Sequence, residues 1–346
     1  MTAAAPLASE APAAGPVRAV CPHCRRPLVE AAAHRTCPSC ARAYSRHHGI
    51  LDLRVFADPY LDFDEDRARA DRVVAALEAL SLPELLEHYW SLSASTPLPM
   101  RAGFVRSALR APLRARRILD LMAADGVPLP RSRILEVGSG TGGFLLEGAA
   151  GGAEVTGIDI AMRWLHVSRR RFREAGRGEP DLVCACAERL PFEDGVFDAV
   201  VALGILEFVR DAGAVLAECA RVLRPGGRAY LTSANRYAPG PEPHVGLWGV
   251  GWLPRAWQAG YVRARGRGDF ANVRLLSYRD LAAAADLHFE RSRIDPAVVP
   301  AEVRRALRGP TRAGAAVYSA WIATRAGRAA LRPIAPEWEA TLTKAG

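Results

Sequence analysis

Four cysteines near the start of the chain have the spacing of a metal site. They form two Cys-x-x-Cys pairs, Cys21 with Cys24 and Cys37 with Cys40, separated by residues 25–36. Two such pairs bring four thiolates onto one tetrahedral Zn²⁺ and leave no coordination position open, which predicts a structural zinc ribbon over residues 16–55. Disulfide bonds are the alternative interpretation, and a cytoplasmic location disfavours them.

Histidines in and after this segment are further possible ligands, although four cysteines already complete a tetrahedral shell. We expect them to be solvated loop side chains: His23, His34, His47 and His48. Cys184 and Cys219 fall in strand-like and helix-like runs, where a free cysteine is typically a small buried hydrophobic residue.

A glycine-rich loop follows a short apolar run in the middle of the chain. Residues 134–144 read ILEVGSGTGGF, with glycines at 138, 140 and 142. Glycine permits a tight turn and lets the backbone approach a ligand closely. A dinucleotide site requires the spacing G-x-G-x-x-G, whereas this loop has G-x-G-x-G and an acidic residue, Glu136, just before it. A carboxylate suits a cationic ligand better than a pyrophosphate.

The elements around this loop alternate between strand and helix. The predicted strands cover 133–137, 154–158, 182–185, 197–203 and 228–232, and the predicted helices cover 144–150, 164–175 and 212–223. This order predicts an α/β fold, in which right-handed helical crossovers join parallel strands and the ligand lies at the C-terminal strand ends.

Four segments in order resemble the motif series of the class I S-adenosylmethionine-dependent methyltransferases. They read ILEVGSGTGGF, VTGIDIA, AERLPFEDGVFDAVVALGILEFV and LRPGGRAYLTSAN, and the resemblance covers about residues 131–236. It implies a Rossmann-like sheet with helices on both faces and S-adenosyl-L-methionine as the cofactor.

The resemblance also implies which residues bind this cofactor. Glu136 and the loop backbone hold its methionine end, Asp159 accepts both ribose hydroxyls, and Ile160 and Met162 flank the adenine. The full implied set is Glu136, Gly138, Ser139, Gly140, Thr141, Gly142, Asp159, Ile160, Met162, Cys186, Ala187, Glu188 and Leu203.

Two positions depart from the family pattern. Cys186 stands where the family often has an acidic residue that contacts the adenine amino group. Phe208 stands where many members have a histidine near the substrate, because this chain reads Leu-Glu-Phe instead of Leu-Glu-His.

Catalytic residues are not evident from the motifs alone. Methyl transfer from a sulfonium is an in-line displacement, so the protein mainly aligns the reactants, and a base is needed only when the acceptor loses a proton. The candidate bases are His244, Glu207 and Tyr237. A fourth candidate, His166, is expected at the surface beside an arginine run at 169–171 that we expect to be solvated.

A tryptophan-rich segment follows the motifs. Residues 247–257 read LWGVGWLPRAW, in which glycine and proline separate Trp248, Trp252 and Trp257. We expect a substrate lid, because aromatic rings on an irregular backbone suit an apolar acceptor pocket. Core packing and peripheral membrane contact are alternatives, the latter drawing on neighbouring arginines at 255, 263, 265 and 267.

The chain divides into stretches of different texture. We expect a disordered N-terminus at 1–15, the zinc ribbon at 16–55, a helical linker or cap at 56–125, the cofactor-binding core at 126–236, the lid and C-terminal part of the fold at 237–332 and a poorly ordered tail at 333–346. Helical periodicity marks 68–80 and 104–121. Residues 281–285 and 289–294 predict a helix and a strand, and 317–324 the last antiparallel strand.

Composition restricts the class of protein. Of 346 residues, 50% are hydrophobic and 24% charged, which excludes a disordered chain. No uncharged apolar run reaches the roughly 18 residues of a membrane helix, and the first fifteen residues lack a signal peptide, so we expect a cytoplasmic protein. The net charge of +9 comes almost entirely from arginine scattered along the chain, which is weak support for RNA binding.

These features predict a methyltransferase acting on a small-molecule or lipid-linked acceptor. An N-terminal ribbon before such a core is also similar to the guanine-N1 ribosomal RNA methyltransferases, but those usually have histidine as the fourth ligand where this chain has Cys40. The pattern C-P-x-C, C-P-x-C, Tyr, G-I-L instead resembles the ribbon of the zinc-ribbon methyltransferase activators. RNA methylation is the second interpretation, and a catalytically inactive cofactor-binding or scaffold protein the third.

Overall fold

A single mixed sheet of eleven strands runs through the described residues. The computed structural model describes residues 17–30, 34–93 and 96–346, so the expected disordered N-terminus lies outside them. The strands are β1 (Val29–Glu30), β2 (His34–Thr36), β3 (Ala43–His47), β4 (Ile50–Asp52), β5 (Arg133–Val137), β6 (Glu154–Asp159), β7 (Asp181–Cys184), β8 (Phe197–Leu203), β9 (Leu223–Ala234), β10 (Arg291–Pro296) and β11 (Glu337–Thr343). Their order across the sheet is β1-β2-β3-β4-β7-β6-β5-β8-β9-β11-β10.

The centre of the sheet is parallel, as the sequence predicts. Strands β4, β7, β6, β5, β8 and β9 run in the same direction, and β10 and β11 close the far edge in antiparallel register. The chain builds outward from β5 through β6 to β7 and then returns to the other side of β5 with β8. This reversal opens a crevice at the C-terminal ends of the strands, where ligands of such folds bind.

Helices precede, connect and follow the strands of the sheet. They are α1 (Phe63–Ala76), α2 (Leu82–Ser91), α3 (Leu98–Leu109), α4 (Ala111–Ala124), α5 (Gly143–Ala150), α6 (Met162–Glu174), α7 (Ala212–Val222), α8 (Arg255–Ala264), α9 (Tyr278–Asp286), α10 (Ala301–Ala306), α11 (Gly309–Ile322) and α12 (Arg325–Leu331).

Both faces of the sheet are buried under these helices. Ile134 and Val201 pack in one cluster with α4 and α5, while the alternate residues Leu135 and Val200 pack in another with α7 and α9. Neighbouring residues on a strand point to opposite faces, so a strand buried on both faces is apolar throughout. The α/β fold with helices on both faces is confirmed.

The structure corrects three predicted elements. The helical run 104–121 is two helices, because Pro112 stands in the first turn of α4 and cannot continue the hydrogen bonds of α3. Residues 317–324 belong mainly to helix α11, in an alanine-rich stretch that favours helix over strand. The last antiparallel strand is β11, so the tail is ordered: Trp338 is fully buried, and its indole N–H donates to the Arg332 carbonyl at 2.7 Å.

The cysteine-rich segment is continuous with the core sheet. Strand β4 lies parallel to β7, with Leu51 opposite Val183 and Asp52 opposite Cys184. On the other side, the Val20 amide donates to the Pro191 carbonyl at 2.8 Å. The predicted ribbon is therefore an extension of the sheet edge, joined to the core through β4 and Val20.

A buried ion network joins this edge to the helices. Arg54, just after β4, donates to both carboxylate oxygens of Asp52 at 2.8 and 2.9 Å, to Asp66 of α1 at 2.7 Å, and to the Ile160 carbonyl at 3.0 Å. The side chains of Arg54 and Asp66 are 0% exposed. A buried charge is stable only when it is paired and hydrogen-bonded, so the network fixes β4, α1 and the segment after β6 relative to one another.

Arg163 of α6 completes the network. It is bonded to Asp66 and lies 2.8 Å from Asp58, and its Nε donates to the Tyr89 hydroxyl at 2.9 Å. Asp66 also accepts the Met162 amide at 3.0 Å. One aspartate thus bonds the start of α6 to the ribbon edge.

None of the helices in the described parts of the chain is long and apolar enough to cross a membrane.

Removing the central carboxylate should destabilise the whole fold. Asp66→Ala leaves Arg54 and Arg163 as buried cations with one partner fewer, and we expect it to lower the free energy of unfolding by about 3–5 kcal/mol, measured by urea denaturation. Asp64→Ala is the matched control, because this neighbour on α1 has a side chain that is 98% exposed. A loss below about 1 kcal/mol for Asp66→Ala would show that the network is not needed for stability.

Candidate functional site

A cavity of about 710 Å³ opens at the C-terminal ends of the parallel strands. This volume lies in the range of small-molecule sites. Seven residues of the implied cofactor set line it: Gly138, Gly140, Asp159, Ile160, Ala187, Glu188 and Leu203. The structure therefore brings together the glycine loop and the ends of β6, β7 and β8, as the strand order requires.

The glycine loop is folded so that one side of its backbone faces open space. Gly138 has a φ of +72°, and a Cβ atom there would lie 2.2 Å from Cγ2 of Ile205. Gly140 has a φ of +47° with nothing within 4 Å of the position of a Cβ. The first glycine is thus required by packing and backbone conformation, whereas the second leaves space that a ligand can fill.

Asp159 is placed at the junction of this loop with β6. Its Oδ2 accepts the Gly140 amide at 2.8 Å and its Oδ1 accepts the Ala161 amide at 2.9 Å. Burial raises the pKa of Asp159 to about 6. The carboxylate is therefore oriented by the backbone on both sides, at the position that the sequence predicts for contacts with ribose hydroxyls.

Six implied cofactor residues lie outside the cavity wall. These are Glu136, Ser139, Thr141, Gly142, Met162 and Cys186. Glu136 is buried, its Oε2 accepts the Leu145 amide at 3.3 Å, and burial raises its pKa well above the usual value. Cys186 is also fully buried, and its thiol donates to the Phe56 carbonyl at 3.5 Å. The structure places these two side chains behind the wall.

Arg171 and His166 were expected at the surface, and this expectation is wrong for both. Arg171 is buried, and its guanidinium donates to the Thr141 carbonyl at 2.6 Å and to the Ala108 carbonyl at 2.8 Å. It therefore supports the glycine loop from α6. Its position in a run of arginines concealed this role, because a charged run typically forms a solvated helix face.

His244 is the predicted base that lies on the cavity wall. Its Nδ1 is hydrogen-bonded to Glu242, and its Nε2 lies 3.6 Å from Oε1 of Glu207. Burial lowers the pKa of His244, but the hydrogen bond to Glu242 and the negative charges of Glu242 and Glu207 together outweigh it, so the pKa lies above its ordinary value. Burial raises the pKa of Glu207 to about 7. The imidazole is thus held between two buried carboxyl groups.

The other two candidate bases do not reach the cavity. Glu207 is 2% exposed and is not among the lining residues. Tyr237 is absent from the lining residues, and its ring lies 5.1 Å from that of Trp252. Phe208 lines the cavity and meets the His244 ring edge-on, with centroids 4.8 Å apart. A histidine from later in the chain therefore lies against the position where the family pattern places one.

Aromatic side chains form the wall away from the glycine loop. Tyr89 and Trp90 of α2, Phe104 of α3 and Trp164 of α6 all line the cavity. The Tyr89 and Trp164 rings have centroids 4.0 Å apart, and those of Trp90 and Phe104 are 4.8 Å apart. The sequence interpretation missed this wall because the residues are far apart along the chain. Tyr89, Trp90 and Phe104 also fall in a segment expected to be a linker or cap.

The three tryptophans expected to form a lid do not line the cavity. Trp248, Trp252 and Trp257 are 65%, 58% and 65% exposed, which excludes them from the core. Val245 and Phe270, which lie on either side of this segment in the sequence, do line the cavity.

The four ribbon cysteines converge as the spacing predicts. Cys21 Sγ lies 3.6 Å from Cys40 Sγ, Cys24 Sγ lies 3.4 Å from Cys37 Sγ, and all four sulfurs lie within 4.8 Å of one another. Zinc–sulfur bonds of about 2.3 Å place the sulfurs of a tetrahedral site about 3.8 Å apart. A disulfide requires about 2.0 Å, so the arrangement fits a shared metal ion and not disulfide bonds.

Comparison with known proteins finds a family similarity in the central part of the chain. Residues 135–231 match the family model described as a methyltransferase domain. The chain is similar to that family over this range, which we refer to as the methyltransferase domain. It has the Rossmann-like fold of the class I methyltransferases, and the matched range begins in β5 and ends in β9.

Curated relatives of the methyltransferase domain differ in their named activities. The chain is 33% identical over 171 residues to a ubiquinone biosynthesis O-methyltransferase of Thiobacillus denitrificans, covering 48% of this chain and 66% of the relative. It is 37% identical over 142 residues to the biotin biosynthesis bifunctional protein BioHC of Cellvibrio japonicus, covering 41% of this chain and 25% of the relative. The chain thus spans less than two thirds of the length of either.

Among solved structures, a SAM-dependent methyltransferase of Thermotoga maritima, described as a possible histamine N-methyltransferase, is 20% identical. The match covers 70% of this chain and 96% of that one, with a TM-score of 0.42.

The residues around the cavity fit S-adenosylmethionine. The open space at Gly140 suits close approach of a ligand to the backbone, and the oriented Asp159 carboxylate suits a pair of hydroxyl donors.

Neutralising Asp159 should weaken cofactor binding. Asp159→Asn replaces two charge-assisted acceptors with a neutral amide, and we expect the dissociation constant of S-adenosylhomocysteine, measured by calorimetry, to rise roughly 10- to 100-fold. Asp120→Asn, at an exposed position of α4, is the control. Unchanged affinity in a folded Asp159→Asn protein would remove Asp159 from the cofactor site.

Proposed function

We propose that this chain is an S-adenosylmethionine-dependent methyltransferase that methylates a hydroxyl group on an apolar small-molecule or lipid-linked acceptor. The observation that carries the proposal is a single cavity lined both by the glycine loop with Asp159 and by His244 with the aromatic wall. A methyl donor and an acceptor can therefore meet in one enclosed space, with a proton-accepting group beside them.

The cofactor end of the cavity is built from the backbone of the glycine loop and the strand ends. Asp159 would bind the ribose hydroxyls, and Ile160, Ala187 and Glu188 would surround the adenine. S-adenosylmethionine, when bound, supplies a methyl group activated by its sulfonium charge. The residues of this chain orient it and leave the acceptor side open toward His244.

His244 is the residue suited to remove a proton from the acceptor. Glu242 holds Nδ1, which assigns the proton to that nitrogen and leaves the Nε2 lone pair available. Glu242 is itself fixed, because it accepts the amides of His244 and Val245 at 2.8 and 2.9 Å. After His244 takes a proton, the buried Glu207 stabilises the resulting cation from 3.6 Å.

The aromatic wall favours an apolar acceptor. Tyr89, Trp90, Phe104 and Trp164 present ring faces and edges to the cavity. The Trp90 indole N–H is buried and has no hydrogen-bond partner in the described parts of the chain. Because this N–H is inaccessible, the wall would contact the acceptor through the apolar surface of its rings.

An oxygen acceptor accounts for the need for a base. A neutral hydroxyl is a weak nucleophile until it loses its proton, whereas a neutral amine attacks without a base. A relative with 33% identity is named as an O-methyltransferase, which supports the same choice.

Transfer of labelled methyl groups tests the proposal. Purified protein incubated with methyl-labelled S-adenosylmethionine and fractionated cell extract should label organic-extractable small molecules or lipids. Label in RNA would establish the RNA methyltransferase alternative instead. Cofactor binding with no label in any fraction would establish the scaffold alternative.

The base is tested on the labelled acceptor fraction. His244→Gln should lower kcat at least about 100-fold while the affinity for S-adenosylhomocysteine stays unchanged. Because the pKa of His244 is raised, the imidazole is protonated at low pH, and kcat/KM of the wild type should rise as pH increases through that raised pKa. His288→Gln, at an exposed position after α9, is the control. Full activity of His244→Gln would eliminate the general base.

Zinc in the ribbon is part of the same proposal. Cys21, Cys24, Cys37 and Cys40 provide a closed shell that stabilises the ribbon without a catalytic position. Elemental analysis of protein purified under reducing conditions should find that Cys40→Ser holds one zinc ion per chain fewer than the wild type, while Cys219→Ala holds the wild-type amount. A wild type without zinc would contradict this assignment.

A further inference from the structure

Three histidines and an aspartate meet between the ribbon and the methyltransferase domain, away from the cysteines. His47 ends β3, His48 lies in the turn to β4, Asp71 lies on α1 and His166 on α6. We refer to these four residues as the histidine cluster. The sequence interpretation treated its histidines as solvated side chains, because no spacing rule links positions so far apart.

Three ligand atoms of the histidine cluster already converge. His48 Nε2 lies 2.7 Å and His47 Nε2 lies 3.2 Å from the same oxygen, Oδ1 of Asp71. The three atoms lie within 4.8 Å of one another. Two donors of a tetrahedral ion with bonds of about 2.0–2.1 Å are about 3.3 Å apart, so this spacing needs little adjustment to accept a metal.

His166 supplies the independent observation that indicates a ligand. Its side chain is 0% exposed, and neither Nδ1 nor Nε2 has a hydrogen-bond partner among the described residues. A buried imidazole without partners is costly, and proteins rarely retain one without a reason. The histidine cluster provides the reason, because the His166 ring lies directly beside the rings of His47 and His48.

The ring spacing is compatible with one shared ion. The centroids of His47 and His48 are 4.6 Å apart, and that of His166 is 5.7 Å from His48 and 6.1 Å from His47. Two imidazoles bound to one tetrahedral ion at about 2.0 Å have centroids about 5 Å apart. The three observed separations lie on both sides of this value. The converged donor atoms are those of His47, His48 and Asp71, so binding by His166 requires its ring to move toward them.

The backbone conformation of His48 also supports a metal site. The two-residue turn between β3 and β4 requires positive φ at both positions, and His48 has a φ of 44° and Gly49 of 84°. Asparagine or glycine is the usual choice for the first of these positions, and a histidine there costs conformational energy. The strained residue is the one whose ring reaches Asp71, which explains why it is tolerated.

We infer that the histidine cluster binds one divalent transition-metal ion of the zinc class through His47, His48, His166 and Asp71. Imidazole-rich donor sets with a carboxylate suit zinc, and four protein donors make a closed, structural site. On binding, the metal takes the Nε2 lone pair of a neutral His48 imidazole in place of the hydrogen bond to Asp71, and the imidazole keeps its proton on Nδ1. The ion would tie the β3–β4 turn to α1 and α6.

The positive charge of the neighbouring Arg169 does not prevent metal binding. Arg169 lies against the cluster, but its guanidinium donates to the His48 carbonyl at 2.6 Å and pairs with Glu179 at 3.1 Å. The exposed side of Asp71 leaves an entry path, since its side chain is 56% exposed and that of His48 is 42% exposed.

Cobalt spectroscopy separates this site from the ribbon. Metal-free full-length protein titrated with Co²⁺ should bind two ions per chain. The ion in the ribbon gives an intense thiolate-to-cobalt charge-transfer band, whereas the ion in the histidine cluster gives only weak visible bands of a nitrogen and oxygen shell. Both should remain after gel filtration.

Variants at exposed positions test the ligands without disturbing the core. His48→Asn keeps a residue suited to the turn and, combined with Asp71→Asn, should lose one cobalt ion and the weak bands while retaining the charge-transfer band. His288→Asn is the control and should keep both ions. Zinc should raise the melting temperature of a Cys40→Ser protein, in which the ribbon site is broken, but not when His48→Asn and Asp71→Asn are added.

Three results would overturn the inference. The wild type could bind only one cobalt ion per chain, or the His48→Asn, Asp71→Asn protein could still bind the second ion. The third is loss of the second ion from the wild type on gel filtration. The last would show adventitious binding only.

Discussion

The pairing of buried charge around Asp66 is the constraint on which the site depends. Arg54 and Arg163 are both removed from water, and each is stable only while the carboxylates of the network stay within hydrogen-bond distance. Because Arg54 also donates to the Ile160 carbonyl and Asp66 accepts the Met162 amide, the same network sets the backbone that follows Asp159. The cofactor end of the cavity is thus positioned by residues of the N-terminal segment.

This arrangement gives the first third of the chain a direct part in the site. The ribbon continues the sheet through β4, and α2 and α3 contribute Tyr89, Trp90 and Phe104 to the cavity wall. The methyltransferase domain by itself supplies the glycine loop and the strand ends, but much of the aromatic wall is outside the matched range. Under the proposed function, acceptor selection would fall mainly to α2 and α3. The ion network joins α2 to α6 through the bond between Arg163 and Tyr89.

The proposed catalytic base also comes from outside the motif series. Phe208 occupies the place of a family histidine, and His244 reaches the same part of the cavity from the segment after β9. Its two carboxylate neighbours are both buried, so the charge of the imidazole is governed by the protein and not by solvent. A histidine from another segment thus lies beside Phe208. For this reason, the absence of the motif histidine does not by itself indicate an inactive protein.

The sequence alone determined the elements with strong local signals. The apolar runs and glycine loop of residues 133–158 predicted β5, α5 and β6 almost to the residue, and the two Cys-x-x-Cys pairs predicted their own convergence. The position of Asp159 at the cavity was predicted from its place at the end of a strand.

Features that depend on long-range packing could not be predicted from local sequence patterns. The burial of Arg171 and His166, the paired arginines around Asp66 and the ordered strand β11 all arise from contacts between distant segments. Local sequence patterns indicate periodicity and turn chemistry. The partner of a buried charge and the neighbour of an edge strand depend on contacts between distant segments, which form only in the folded chain.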